Sequence, residues 1–238
     1  NRVFVEGALV AEEGKYLPEI KKCDISSVKG SVIVKDFSKE KFKMNLKSNK
    51  VNVIKILPGG VVTAKDTAEI ELDANGEFVR NPEVDLVKVA VVERHQGTGN
   101  VACGFLKGYG IKEGAVALSV AHNSHNIIVV GVNDEEMEFA VNSLIEQEGG
   151  IVLVKEGKVI ESMPMPIAGL MSDQSGEWVD QKLTDIHEKA YEELGICGDV
   201  EPVMTLCFMS LAVIPEIKLT DMGLFDVTTF SFIPVEVE

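Results

Sequence analysis

The middle of the chain is dominated by apolar runs that are separated by short polar or glycine-rich breaks. Residues 86–92, 115–120 and 127–132 contain almost no polar side chains. A strand with such a continuous apolar run is usually covered on both faces of its sheet. We therefore predict that these three segments are central strands. A further strand is predicted over residues 51–56, and Pro58-Gly59-Gly60 ends it.

Short runs on either side of glycine-containing turns predict β-hairpins. One hairpin is predicted over residues 3–10, around Glu6-Gly7, and Glu13-Gly14-Lys15 marks the next turn. Another is predicted over residues 151–161, around Glu156-Gly157. A third is predicted from a strand over residues 67–72 and the turn that follows it at 73–76.

Two helices are indicated by apolar side chains that recur every three or four residues. Asn133 or Asp134 can cap the first helix, and Gly149 stops it. The second begins near Ser175 and ends at Gly195. The apolar stripes of the two helices are Met137, Val141, Leu144 and Ile145, and Val179, Leu183, Ile186, Ala190 and Leu194. Strand pairs interrupted by a few helices favour an α+β fold with mixed β-sheets.

The charge of the chain restricts the partners that it can bind. The 238 residues carry a formal charge of −15 with 45% hydrophobic residues, as in an acidic globular protein. Because an acidic surface repels phosphate groups, we expect no nucleic-acid or anionic-membrane partner. The longest apolar run, residues 202–215, is too short for a bilayer span of about 20 residues. We interpret it as a core strand or a buried helix.

The four cysteines favour a reducing, cytoplasmic location. No two of them have the C-x-x-C spacing that is typical of zinc or redox sites. Cys103 and Cys207 lie in apolar runs, so we interpret them as buried thiols.

Three of the four histidines lie where an apolar run breaks off, and strand ends often carry functional loops. Glu93-Arg94-His95 follows the run at 86–92, and His122-Asn123-Ser124-His125-Asn126 joins the other two runs. The i, i+3 histidines can face a ligand or another domain, bind a metal, or only satisfy loop backbone groups. Arg94 can bind a carboxylate, either of a ligand or in a structural ion pair.

Glycines between residues 97 and 114 predict tightly turned or mobile backbone, such as a loop that covers an active site. Gly97-Thr98-Gly99-Asn100-Val101-Ala102 has the spacing of a dinucleotide site, but four polar residues separate it from the preceding strand. A dinucleotide site is therefore disfavoured. The connector over residues 164–173 could line a pocket for a flat aromatic base, although packing between domains is favoured.

Three segments carry a resemblance that extends over nearly the whole chain. They are residues 91–132, Pro166-Ile167-Ala168-Gly169-Leu170-Met171-Ser172-Asp173 and Leu219-Thr220-Asp221-Met222-Gly223-Leu224-Phe225-Asp226. They resemble the C-terminal region of microbial adenine deaminases, members of the amidohydrolase superfamily. The resemblance implies that the chain is the C-terminal portion of a hydrolase that converts adenine and water to hypoxanthine and ammonia in purine salvage.

The same resemblance implies a domain organisation. Residues 1–50 are expected to be returning strands of a small β-sandwich, and residues 51–238 an α+β domain. The catalytic (β/α)₈ barrel, with its manganese or iron, is expected to be absent from this chain, and the chain alone to be inactive without any cofactor of its own. The expected partners are adenine, the N-terminal barrel domain of the same protein and further copies in a homo-oligomer.

Within the resemblance, Arg94, His95 and the residues of the 122–126 segment are expected near the substrate of the same or a neighbouring subunit. These are His122, Asn123, Ser124, His125 and Asn126. The chain contains neither the H-x-H pair of amidohydrolase barrels nor the H-x-E and P-C-x-x-C elements of cytidine-type deaminases. Two alternatives remain, namely a non-catalytic ligand-binding or scaffolding module, and an independent metallo-hydrolase that uses His95, His122 and His125.

Overall fold

The computed structural model describes residues 1–237 and has an α+β architecture, as the sequence pattern predicts. Its helices are α1 (Asp134–Glu146), α2 (Gly176–Glu192) and α3 (Pro202–Cys207). Its strands are β1 (Arg2–Val5), β2 (Ala8–Glu12), β3 (Lys15–Tyr16), β4 (Lys50–Ile56), β5 (Thr63–Glu69), β6 (Glu71–Leu72), β7 (Phe78–Val79), β8 (Leu86–Val92), β9 (Val101–Lys107), β10 (Ala115–Leu118), β11 (Ile127–Gly131), β12 (Gly150–Lys155), β13 (Lys158–Pro164), β14 (Ile217–Thr220), β15 (Gly223–Asp226) and β16 (Ser231–Phe232).

Eight strands form the central sheet, in the order β13-β12-β10-β11-β8-β9-β4-β5. Neighbouring strands are antiparallel, except that β4 and β9 run parallel. The three predicted central strands, β8, β10 and β11, lie in the interior of this order, which confirms their assignment. Smaller sheets join β1 to β3, β14 to β16, and β6 to β7.

Both faces of the central sheet are covered, and this explains the continuous apolar runs. Successive side chains of β8 alternate between two cores: Val89 and Val91 face α2 and α3, whereas Ala90 and Val92 face α1. Cys207 belongs to the first of these cores, and Cys103 packs against the second. The sheet is therefore the middle layer of the domain, and loops at its ends are held by a rigid support.

The helix starts follow their predicted caps. The side chain of Asn133 accepts a hydrogen bond from the Glu136 N–H at 2.8 Å, and Ser175 Oγ accepts one from the Trp178 N–H at 3.3 Å. Each bond satisfies one N–H group of a first helical turn, which has no partner inside the helix. The hairpins predicted over residues 3–10 and 151–161 are also confirmed, as β1–β2 and β12–β13.

The prediction of turned or mobile backbone between residues 97 and 114 is wrong for residues 101–107, which form the interior strand β9. Gly104 lies within this strand, and a Cβ atom at Gly104 would lie 3.5 Å from the side chain of Leu219. Thus a glycine in this segment marks close packing of another element, and not a loop.

Two other segments differ from their predictions. Residues 67–72 do not form one strand: β5 ends at Glu69 and pairs with β4, while β6 pairs with β7. The Ile70 N–H leaves the ladder and donates to the Asn49 carbonyl at 2.8 Å, which separates the two strands. Residues 202–215 begin as the short helix α3, and the β14–β15 hairpin that follows was not predicted.

The N-terminal sheet, β1 to β3, carries apolar side chains that the rest of the described chain does not cover. Val3, Phe4 and Val5 are 53%, 60% and 55% exposed. The division of the chain at residue 50 stays a prediction. Within residues 1–237, no helix combines the length and the apolar character that a membrane crossing requires.

Candidate functional site

The fold brings the three histidines of the predicted site to one end of the central sheet. His95 follows the end of β8, and residues 122–126, which we call the histidine loop, connect β10 to β11. Because β11 pairs with β8 so that Ile127 lies opposite Val92, the two chain ends are neighbours. His95 Nε2 lies 2.6 Å from the Ser124 carbonyl oxygen. The sequence-predicted residues therefore form one cluster.

Backbone contacts fix the histidine loop. The His122 N–H donates to the Cys207 carbonyl at 2.8 Å, and the His125 N–H donates to the Ala121 carbonyl at 2.6 Å. His125 has φ +54°, in the left-handed region that side chains rarely occupy. The two imidazole rings lie with their centroids 5.3 Å apart, and the Phe208 ring lies 4.8 Å from His122. Both rings are half-buried, so each keeps an accessible edge.

The electrostatics of the loop favour a neutral His125. Burial lowers the pKa of His125, and the nearby His122, Arg94 and His95 lower it further. An imidazole with a pKa below its ordinary value is uncharged at neutral pH, with one nitrogen as a donor and the other as an acceptor. The Nδ1 atom of His125 is buried and has no hydrogen-bond partner among the described residues. The ring thus retains unused hydrogen-bonding capacity.

Arg94 is buried and contacts backbone carbonyls of three loops. Only 1% of the residue is exposed. Its guanidinium donates from Nε to the His125 carbonyl at 2.5 Å, from Nη2 to Ala168 at 3.2 Å and from Nη1 to Ser31 at 3.4 Å. The carboxylate partner that the sequence suggested is not found among residues 1–237, where Arg94 takes part in no ion pair.

Glu93 closes the loop that carries His95. Its carboxylate accepts hydrogen bonds from the backbone N–H groups of His95 at 2.5 Å, Gln96 at 2.8 Å and Thr98 at 2.9 Å. Burial alone would raise the pKa of Glu93, but these bonds outweigh it and hold the pKa at about 2. Glu93 is therefore a charged structural anchor of this loop and not an acid or base for catalysis at neutral pH.

The remaining loop residues divide into buried and exposed ones. Asn126 is buried, accepts from the Arg94 N–H at 3.3 Å and donates to the Asp221 carboxylate at 3.0 Å. Asn123 and Ser124 are exposed at the tip of the loop. The structure thus places all seven predicted residues in one cluster, whereas their proximity to a substrate stays a prediction.

Three further residues belong to this cluster, and sequence reasoning did not assign them to it. Asp221 binds Asn126, Phe208 packs on His122, and Ala168 accepts from Arg94. Ala168 and Asp221 lie in the two short segments that carry the family resemblance, so that resemblance was the available signal. Phe208 had no such signal, because only the fold brings the end of α3 to the histidine loop.

No metal centre fits the described residues. Among residues 1–237, His, Cys, Asp and Glu side chains nowhere form a group of three that could hold a metal ion. His95 Nε2 already contacts the Ser124 carbonyl oxygen. A metal site built from His95, His122 and His125 therefore receives no support from this geometry.

The histidine cluster lies at the surface, and the described cavities lie elsewhere. A cavity of about 470 Å³ is lined by Lys39, Arg80, Lys88 and Asp134, and another of about 560 Å³ by Arg80, Lys112 and Tyr191, among other residues. Neither is lined by the seven predicted residues. Because small-molecule sites are usually concave, a site at the histidine loop needs a second surface that faces the loop.

Comparison with known proteins gives the family. Residues 60–231 match the family described as the adenine deaminase C-terminal domain. The chain belongs to this family. Adenine deaminase 2 of Desulfotalea psychrophila is 66% identical over 236 residues, which are 99% of this chain and 41% of that protein. The adenine deaminase of Ligilactobacillus salivarius is 46% identical over 238 residues, 100% of this chain and 41% of that protein.

A third relative, adenine deaminase 2 of Carboxydothermus hydrogenoformans, is 45% identical over 98% of this chain and 40% of its own length. The chain therefore spans about two fifths of the length of these relatives. The matched family region begins after β4 and contains the whole histidine cluster, apart from the contact of Arg94 with Ser31. The family assignment made from the sequence is confirmed.

Proposed function

We propose that this chain is the C-terminal portion of an adenine deaminase, a hydrolase that converts adenine and water to hypoxanthine and ammonia in purine salvage. Family membership supports the activity of the parent protein. The observation that carries a role for this region is the pair of half-buried rings, His122 and His125, at the end of a rigid sheet. In this proposal the histidine loop covers the active site of its own or a neighbouring subunit.

The chemistry of the loop suits a neutral purine. A neutral imidazole both donates and accepts hydrogen bonds, as the ring nitrogens and amino group of adenine require. The formal charge of −15 imposes no electrostatic penalty on an uncharged base. The alternative of a free-standing scaffold does not account for two polar rings that retain accessible edges.

The proposal assigns catalysis to an N-terminal (β/α)₈ barrel domain. The manganese or iron centre that the family resemblance implies does not fit the described residues of this chain, so its ligands are assigned to that barrel. The exposed apolar side chains of β1, including Phe4, support contact with a further part of the polypeptide. Burial of such side chains against another sheet stabilises by about 25 cal/mol per Å² of apolar surface.

Two other parts of the proposal rest on family resemblance and composition. The region supports assembly of a homo-oligomer, in which the histidine loop can reach a neighbouring active site. The protein acts in the cytoplasm, where four free cysteines remain reduced.

Alanine replacement of the paired histidines tests the proposal. In the full-length enzyme, we expect His122→Ala and His125→Ala each to lower kcat/KM for adenine by about tenfold or more, since one hydrogen bond to a polar substrate is worth roughly 1–2 kcal/mol. His187→Ala, on α2, is the matched control and should retain kcat/KM. Unchanged turnover and KM in both loop variants, with metal content equal to that of the wild type, would contradict the proposed role.

A further inference from the structure

Arg94 holds together loops that are far apart in the sequence. Besides its three guanidinium contacts with His125, Ala168 and Ser31, its own carbonyl accepts the Ile33 N–H at 2.8 Å. Its N–H donates to the Asn126 side chain. One buried residue thus contacts the segment that follows the N-terminal sheet, the histidine loop and the 164–173 connector.

The cost of this arrangement indicates a function beyond packing. A buried cation without a carboxylate partner is expensive, and burial lowers the pKa of Arg94 below its ordinary value. A hydrophobic side chain would fill the same space at lower cost. What the guanidinium supplies is geometry, because its planar fork directs N–H groups at carbonyls in fixed directions.

Gly169 keeps the guanidinium in place. Its φ is +70°, and a Cβ atom at this position would lie 2.7 Å from Arg94 Nη1. The Gly169 carbonyl accepts a hydrogen bond from Ser119 Oγ at 2.5 Å, which in turn accepts from the Gly150 N–H at 2.8 Å. The connector can therefore approach Arg94 only where residue 169 lacks a side chain.

We propose that Arg94 is a positioning residue of the deaminase: it fixes the His125 carbonyl, and thereby the orientation of the paired histidines, relative to the N-terminal segment around Ser31. This inference rests on the proposed function and refines it. Arg94 is buried, so it acts through the histidine loop and does not contact adenine itself.

The test uses two variants of the full-length enzyme that disturb the guanidinium differently. Arg94→Lys keeps the charge but cannot reach three diverging carbonyls. Gly169→Ala leaves Arg94 intact and pushes its guanidinium aside. We expect each variant to lower kcat/KM for adenine by about 10- to 100-fold, since displacement of a contributing group by about 1 Å has effects of this size.

Gly157→Ala is the matched control. Gly157 also has a positive φ, +66°, but a Cβ atom there would meet nothing within 4 Å, in the β12–β13 turn. It carries the same backbone strain without the clash, so its kcat/KM should remain within about twofold of the wild type. An equal loss in Gly157→Ala and Gly169→Ala would overturn the proposal, because general strain would then explain both.

A double-mutant cycle separates positioning from a general structural effect. If Arg94 acts through His125, the effect of Arg94→Lys on kcat/KM should largely disappear when His125 is already alanine. Additive effects would overturn the inference, as would an active Arg94→Lys and Gly169→Ala beside an impaired His125→Ala. If His125→Ala itself has no effect, the proposed function fails first. Should Arg94→Lys not fold, the same cycle is completed with Gly169→Ala.

Discussion

Glu93 and Arg94 are neighbours of opposite charge at the end of β8, and each is stabilised by backbone groups. Glu93 accepts from three N–H groups of its own loop, whereas Arg94 donates to carbonyls of three other segments. Adjacent residues of a strand point to opposite faces, and this explains why they do not pair. A Glu-Arg pair in a sequence is therefore weak evidence for an ion pair at a strand end.

Glu93→Gln should destabilise the chain at neutral pH. The amide cannot accept four hydrogen bonds as the carboxylate does, so we expect a loss of about 1–3 kcal/mol in the free energy of unfolding at pH 7. The folded pKa of Glu93, about 2, lies below its ordinary value of 4.5. The stabilisation is thus complete above about pH 4.5 and is lost as the pH falls towards 2.

Urea unfolding of the wild type and of Glu93→Gln between pH 7 and pH 2 measures this difference. Glu146→Gln, an exposed position at the end of α1, is the control. If the wild type and Glu93→Gln differ no more than the control pair at pH 7, the carboxylate is not the anchor of this loop. A difference that stays constant down to pH 2 would equally contradict the account.

At the scale of elements, local signals specify the helices well. The first turn of α1 depends on Asn133, and we expect Asn133→Ala to lower the free energy of unfolding by about 1 kcal/mol. Asn142→Ala, at an exposed position inside α1, should leave stability unchanged or raise it slightly, because alanine has the higher helix propensity. Thermal unfolding followed by circular dichroism compares the two. Equal effects of both substitutions would rule out a specific contribution of the cap.

The strand β9 shows where local signals are insufficient. Its glycine and its half-buried positions resemble a loop, and only packing of Leu219 over Gly104 makes it an interior strand. Similarly, the strand predicted at 67–72 is divided by the contact of Ile70 with Asn49. In both cases a contact made outside the segment overrides the local pattern. Central strands such as β8 were predictable because burial on both faces leaves a direct trace in the sequence.

For the whole molecule, the sequence indicated the candidate site through histidines at strand ends, and the sheet order brings these ends together. The contacts of Arg94 with Ser31 and Ala168 join residues 63 and 74 positions apart in the chain. No local pattern could indicate them, because they depend on how loops from different strands meet. The family resemblance included Ala168 and Asp221 without indicating what they contact.

The most direct test of the whole account is hypoxanthine formation from adenine, measured side by side for this 238-residue chain and for the full-length enzyme, with Mn²⁺ or Fe²⁺ supplied. The account predicts turnover by the full-length enzyme and none by the chain alone, because the metal centre is assigned to the barrel. Chelator-sensitive turnover by the chain alone would contradict it and make His95, His122 and His125 the first ligands to replace. A full-length enzyme that does not deaminate adenine would contradict the proposed activity itself.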